Sequence, residues 1–467
     1  MCMSDVKIPL VTFKKFFKEL DDRDILTFEA YDKESQELLR KKLLPTYNPL
    51  MLEKAFRNGI EVLLKPESLS INHKYDTLEI NVKSGVVNIP LDDELLDFLT
   101  EVEDKNFYYS VKLTNKDVKG KKAVYFGELI RIYTADYDFE TAKLLLDNYK
   151  PVELLMYAIG YENTVEAIAT RLPLLLPLFQ YADKAIHTVL FTMPRFGKSR
   201  TARVLMGLTN SYLTTLPTPS KLIYDGAKNK YGLTYFYNTL YIDEFDKIQS
   251  SKRKEVFKDS YELLLTGMSD GIWMREVSSM ANDFINIVGF CFMGNFRDKQ
   301  IDAYNLNKYT ANAREKLYQL LDDIVDPNPF VERITYIEFN YNETQAYKLL
   351  NYNENNMVQY LHAKVSRALI KLLQDDVRSK PVYKRPEDEL EHHMNAVKAV
   401  MEALQIELDD DSVERLVKGD TTFLTVLNTE KELKEKTITE EDIVKTVKSD
   451  LESVIMNDEG VNEHEMQ

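Results

Sequence analysis

Cysteine is nearly absent: Cys2 and Cys291 are the only two in 467 residues. A disulfide framework and a cysteine zinc ribbon are therefore excluded. The six histidines are scattered except for His392-His393, whose neighbours give no ligand spacing, so no zinc is expected. Long apolar runs are missing too, since a membrane-spanning helix needs about 18 such residues. The most apolar stretch, 172–179, is short and broken by Pro173 and Pro177. Nor does the N-terminus carry the charged, apolar and small regions of a secretory signal. The expectation is a soluble, intracellular, cytoplasmic protein with no membrane partner. An excess of basic charge is also lacking, the net charge being −16. Residues 385–467, however, hold 23 acidic and 9 basic side chains, which accounts for most of that charge. The rest of the chain is near neutral, so charge neither supports nor forbids a nucleic-acid partner.

What is present is a chain with 44% apolar and 11% aromatic residues, long enough for two or three domains. Its most informative stretch is Thr192-Met193-Pro194-Arg195-Phe196-Gly197-Lys198-Ser199. An apolar run (Val189, Leu190, Phe191) precedes it, and a helical pattern (Ala202, Leu205, Met206, Leu208) follows. That is the strand–loop–helix context of a phosphate-binding loop. N–H groups at a helix N-terminus attract phosphate, and Lys198 would neutralise its β/γ oxygens. Pro194, Arg195, Phe196, Gly197 and Arg200 complete the expected nucleotide contacts. The match departs from the usual motif, because Thr192 stands at the first glycine and Arg195 at a frequent glycine position. About 45 residues on, the apolar run Leu240-Tyr241-Ile242 ends in Asp243-Glu244. Ser199 and Asp243 can organise Mg²⁺, and Glu244 can activate water.

These residues carry a resemblance. Ile242-Asp243-Glu244-Phe245-Asp246-Lys247 resembles the Walker B segment of minichromosome maintenance (MCM) helicases, which are AAA+ ATPases. Phe290–Asn295 ends in asparagine as a sensor 1 strand does, and Pro329–Ile334 resembles the segment with the arginine finger. The Met193-Pro194-Arg195 loop and the Gly294-Asn295 ending are similar to the Lon-like AAA+ proteins of BREX phage-defence systems. The resemblance spans roughly residues 171–375. It implies an α/β fold with an AAA+ P-loop core and a ring, a hexamer, of identical subunits. It further implies that Asn295 helps to position water and that Arg333 reaches a neighbour's γ-phosphate. Arg367, in Ser366–Ile370, is the candidate sensor 2. Two features depart from MCM: its zinc module cannot be built here, and residues 226–240 leave no room for its inserted helix hairpin.

Around this core, residues 1–150 read as an α+β domain, helical to about residue 65 and then a set of short strands. The tip 115–122 carries four lysines between strands rich in Tyr and Phe. Lys119 and Lys121 could touch single-stranded nucleic acid, as oligonucleotide-binding barrels do; a solvated β-turn explains the same residues. The ATPase core is expected over 151–340, and a helical lid over 341–380. An acidic helical segment covers 385–467, with a disordered tail from Asn457. Before the Asn295 strand, Ile272–Val277 begins a hairpin that in the MCM-like clade projects into the ring pore. Alternation puts Trp273 and Arg275 on one face of it, where stacking and charge could grip DNA. A strand that merely pairs within its sheet is the plainer alternative.

The resulting expectation is an ATP- and Mg²⁺-dependent ring that moves on or unwinds DNA, a helicase-like replication protein of viral or plasmid type. Two alternatives stay open. One is a protein remodeller or a Lon-like effector that binds DNA without unwinding it. The other is a degenerate loop that binds nucleotide without hydrolysing it.

Overall fold

Continuous apolar runs, rather than alternating ones, mark strands covered on both faces. Thr188–Thr192 is such a run, buried at every position, and Gly289–Asn295 is another. The computed structural model describes residues 7–13, 49–64, 66, 68–72, 75–82, 85–101, 107–119, 122–134, 136–227, 230–277, 280–295, 312–340, 358–381 and 389–429.

The N-terminal part contains β1 (Leu10–Phe13), α1 (Pro49–Asn58), β2 (Glu61–Leu64), β3 (Ser68–Asn72), β4 (Thr77–Val82) and β5 (Gly85–Pro90). It continues through α2 (Asp93–Glu101), β6 (Tyr108–Lys119) and β7 (Lys122–Tyr133). Helices α3 (Phe139–Leu146), α4 (Pro151–Ala158) and α5 (Val165–Leu175) then lead past a small hairpin, β8 (Gln180–Tyr181) and β9 (Lys184–Ala185).

The central part runs β10 (Thr188–Thr192), α6 (Lys198–Leu208), β11 (Ser211–Thr215), α7 (Pro219–Leu222), β12 (Tyr224–Asp225), β13 (Lys230–Tyr231), α8 (Leu233–Phe236) and β14 (Thr239–Asp243). After it come α9 (Ser251–Asp270), the hairpin β15 (Ile272–Val277) and β16 (Met280–Ile285), then β17 (Gly289–Asn295), α10 (Ala313–Leu321), α11 (Asn328–Glu332) and β18 (Tyr336–Asn340). The last part is β19 (Val358–Leu361), α12 (Ala363–Ser379), α13 (Glu389–Ala403) and α14 (Asp410–Lys418).

Five strands form a parallel sheet in the order β11-β14-β17-β10-β18. Strand β17 is inserted between β10 and β14, so the loop after β10 faces both Asn295 and Asp243 at the strands' C-terminal ends. In such sheets ligands bind at that edge.

The N-terminal strands belong to a second sheet. Among the described strands it is open and eight-stranded, in the order β12-β13-β3-β4-β5-β7-β6-β2. Its pairing is antiparallel except between β5 and β7. Two of its strands, β12 and β13, come from the central part, and β13 joins β3 through Lys230 and Asn72. The N-terminal strands are therefore continuous with the core by backbone pairing. Of the short strand that the sequence suggests over 221–224, Lys221 and Leu222 instead end the short helix α7 behind Pro219, and only Tyr224 enters a strand, β12.

The C-terminal boundary also moves. Val397, Val400 and Met401 of α13 and Val413, Leu416 and Val417 of α14 share one core cluster with Leu369 and Leu373 of α12 and Val204 and Leu205 of α6. Phe423 packs on Tyr336 of β18 with ring centroids 4.4 Å apart. Residues 389–429 of the acidic segment are thus part of the core, because their apolar stripe has that cluster to cover. The expected tail from Asn457 lies outside the described residues.

Candidate nucleotide-binding site

The loop leaves the sheet at Thr192 and turns through two left-handed residues, Arg195 (φ +68°) and Gly197 (φ +82°). Such a φ is uncommon for a residue with a Cβ and is typical of constrained functional turns. Gly197 caps α6, whose first N–H groups have no partner within the helix. Pro194 and Arg195 are exposed at the tip, whereas Phe196 is buried.

Lys198 is only 4% exposed. Its Nζ donates to Thr192 Oγ1 (2.6 Å) and Asn295 Oδ1 (2.8 Å). The threonine at the motif's first glycine position is thus the lysine's own acceptor. Burial pulls the Lys198 ammonium down to about 8, against the opposing charges of Asp243 and Asp246. Ser199 Oγ donates to Asp243 Oδ2 at 2.7 Å, which places a hydroxyl and a carboxylate together. That oxygen pair suits a hard divalent cation such as Mg²⁺. The Asn295 N–H donates to the buried Asp246 Oδ1 at 3.1 Å, fixing the end of β17. Glu244 is also left-handed (φ +61°), and its N–H donates to Asp243 Oδ1 at 2.8 Å. Its carboxylate pairs with Lys247 and, at 3.3 Å, with Arg253. Lys198, Ser199, Asp243 and Asn295 therefore converge, with the Glu244 backbone beside Asp243 and its carboxylate turned to the two cations.

The expected distal residues are placed elsewhere. Arg333 was expected to reach a neighbouring subunit. Its Nε instead donates to Leu265 O (2.9 Å) and Ser269 Oγ (2.7 Å), and its Nη1 donates to Pro329 O. The end of α9 draws the cation inward, as helix C-termini do. Arg367, expected as sensor 2, is buried, stacks on Tyr137 and donates to Gly207 O at 3.3 Å. That is the far end of α6, about 14 Å from Lys198 at 1.5 Å per residue. Arg200 bonds the Tyr360 hydroxyl, so it links α6 to β19.

The proposed DNA ribbon is corrected as well. Trp273 and Arg275 do share a face, but that face is interior. Trp273 is fully buried, and its Nε1 donates to Asn286 O at 2.8 Å. A Cβ on Gly267 would lie 2.3 Å from its ring. Arg275 donates to the Tyr224 carbonyl of β12, tying the hairpin to the N-terminal sheet. At the lysine-rich tip, Lys119 ends β6 opposite Lys122, while Lys121 lies outside the described residues. Lys116 pairs with Glu53, whose carboxyl is held down to about 2, chiefly by that contact.

Sequence reasoning missed Arg171, which donates to Phe196 O at 2.9 Å from α5, and Tyr161, whose hydroxyl lies 3.2 Å from Thr201 Oγ1. A lone charge inside the apolar run 167–179 was the signal for Arg171. It also missed the cations Lys247 and Arg253 on Glu244.

The fold and site together define an α/β protein with a helix-flanked parallel sheet and a lysine loop at its C-terminal edge. No family profile matches the chain. It is similar to "Uncharacterized protein 440" of Sulfolobus islandicus rod-shaped virus 1, 24% identical over 428 residues, covering 84% of this chain and 90% of that protein. It is also similar to "Uncharacterized protein ORF425" of Acidianus filamentous virus 2 (isolate Italy/Pozzuoli), 24% identical over 310 residues, covering 60% of this chain and 70% of the relative. A third relative, "Uncharacterized protein ORF426" of Acidianus filamentous virus 1 (isolate United States/Yellowstone), is 23% identical over 339 residues, covering 64% and 77%. Among the described residues no helix is long and apolar enough to cross a membrane.

Proposed function

We propose that the chain is an AAA+ ATPase that binds ATP at the 192–199 loop, hydrolyses it and acts on DNA as a homo-oligomeric ring in the host cytoplasm. The observation that carries this reading is the meeting of Lys198, Ser199, Asp243 and Asn295 at the C-terminal edge of the parallel sheet. Lys198 gives up its contacts with Thr192 and Asn295 to hold the β/γ-phosphates. Ser199 and Asp243 would hold Mg²⁺, which would supply charge neutralisation at the phosphate oxygens. Asn295 is then free to orient a water, and Glu244 accepts its proton. That last role requires Glu244 to leave Lys247 and Arg253.

A second reading, a protein remodeller or a DNA-binding effector without unwinding activity, is favoured by the burial of Trp273 and the inward tie of Arg275. Both removed side chains were the expected DNA grip. ATPase measured with and without DNA, together with strand displacement, separates the two. For hydrolysis itself, Glu244→Gln should keep ATP affinity and lower turnover by about a hundredfold or more, as loss of a general base does. Full turnover in that variant removes Glu244 from its role.

A further inference from the structure

We infer that Arg171 is the positioning residue of the phosphate-binding loop: it anchors the Phe196 carbonyl and thereby aims the Gly197 N–H. The inference rests on the nucleotide reading above. Arg171 is completely buried on α5, 25 residues before Phe196 in sequence. Its guanidinium lies between two rings, with centroids at 4.4 Å (Tyr161) and 5.1 Å (Phe196). From there Nη2 donates to Phe196 O at 2.9 Å. Tyr161, the other wall, reaches the first turn of α6 through Thr201. A Cβ on Gly197 would stand 3.1 Å from the Tyr161 hydroxyl and 3.3 Å from Arg171 Nη2. The guanidinium and phenol therefore fill one side of the loop up to its backbone.

The consequence follows from peptide geometry. In a trans peptide the C=O of one residue and the N–H of the next point in opposite directions. Fixing the Phe196 carbonyl toward Arg171 turns the Gly197 N–H away from it. The loop's two left-handed residues are strained or entropically costly, and such turns persist where surroundings over-determine them. Arg171 is among those surroundings and bonds the loop backbone directly. An apolar residue would fill the volume at lower cost than a buried guanidinium. What an apolar residue cannot do is hold the carbonyl.

The test uses the full chain with Arg171→Met, Arg171→Lys and, in parallel, Lys198→Ala. ATP binding, the KM and kcat of hydrolysis, and Tm are measured for each. Arg171→Met should raise Kd and KM for ATP about tenfold or more, with kcat at saturating ATP largely kept. Arg171→Lys, which retains a cationic donor, should recover most of the affinity. Parental affinity in Arg171→Met overturns the inference. So does equal weakening in the Met and Lys variants, which would assign the effect to packing. If Arg171→Met does not fold, Arg171→Gln replaces it, with a several-fold rise in Kd expected and parental affinity again the refuting result. Lys198→Ala keeps the two levels apart. If it binds ATP like the parent, the phosphate site itself is wrong; if it is weakened while Arg171→Met is not, only the role of Arg171 falls.

Discussion

Raising the pH should move the stability of the ligand-free protein and its affinity for ATP in opposite directions, and Lys198 is the reason. Burial lowers its ammonium from 10.5 to about 8. At 1.36 kcal/mol per unit, that difference corresponds to about 3 kcal/mol held against the folded state. The folded pKa lies below the unfolded one, so between the two values the unfolded chain carries a proton the folded chain has released. Stability therefore rises with pH across that window, and the whole penalty is present below about 8.

A bound polyphosphate reverses the preference, because its charge favours the ammonium. ATP association should fall by about tenfold per pH unit above the ligand-free value, or about 1.4 kcal/mol of ligand-induced stabilisation per unit. Melting curves with and without Mg·ATP, from about pH 7 to about pH 9.5, read both effects. Lys198→Met should remove both slopes and raise the ligand-free Tm at neutral pH. An ATP-induced shift that stays flat across this range, or that declines equally in Lys198→Met, refutes the reasoning.

Trp273→Ala should destabilise the fold by about 3–5 kcal/mol, the usual cost of emptying a buried aromatic site. A variant with parental Tm but weakened single-strand binding would return Trp273 to the surface role. Arg333→Ala should lower stability by about 2 kcal/mol through its lost charged hydrogen bonds. In addition, co-assembly with Lys198→Ala should restore no ATPase, and measurable recovery in mixed assemblies would make Arg333 a trans-acting finger after all.

Local signals carried much of the central sheet. The strand before Gly197-Lys198-Ser199 and the strand ending in Asp243 are both short apolar runs closed by polar residues, and both are where the sequence puts them. The order of the sheet was a different matter. That β17 lies between β10 and β14 depends on pairings about 100 and 50 residues apart in the chain, which periodicity does not encode. The same holds for β12 and β13. Four residues at the edge of the central part were invisible as the outer strands of the N-terminal sheet, because short strands have no period to read. For α13, the apolar spacing of Val397, Met401 and Leu404 did announce an amphipathic helix. It could not say what the stripe covers, and acidity suggested a detached segment. In the fold a helix can be acidic on one face and core on the other.

The site divides along a physical line. Residues whose side chains are short, or which sit on the backbone turn itself, could be placed from the sequence: Gly197, Ser199, Asp243 and Asn295 sit where their strands and loop end. The long cations were not. Arginine reaches several ångströms from its Cα and carries five donors, so its destination is set by whichever acceptors lie within that radius. Arg333 ends on Leu265 and Pro329 carbonyls, Arg367 on the Gly207 carbonyl and Arg275 on the Tyr224 carbonyl. Each was assigned by family position to a phosphate or to DNA, and each is bound to backbone oxygen within its own chain. Arg171 was given no role, yet the same rule sends it to the Phe196 carbonyl beside the loop. Because that acceptor belongs to the loop and the other three do not, Arg171 is the arginine of the four that can act on the loop's geometry from within one subunit. In the ring proposed above, a cation supplied across the subunit interface has to come from a side chain that these internal carbonyls do not hold.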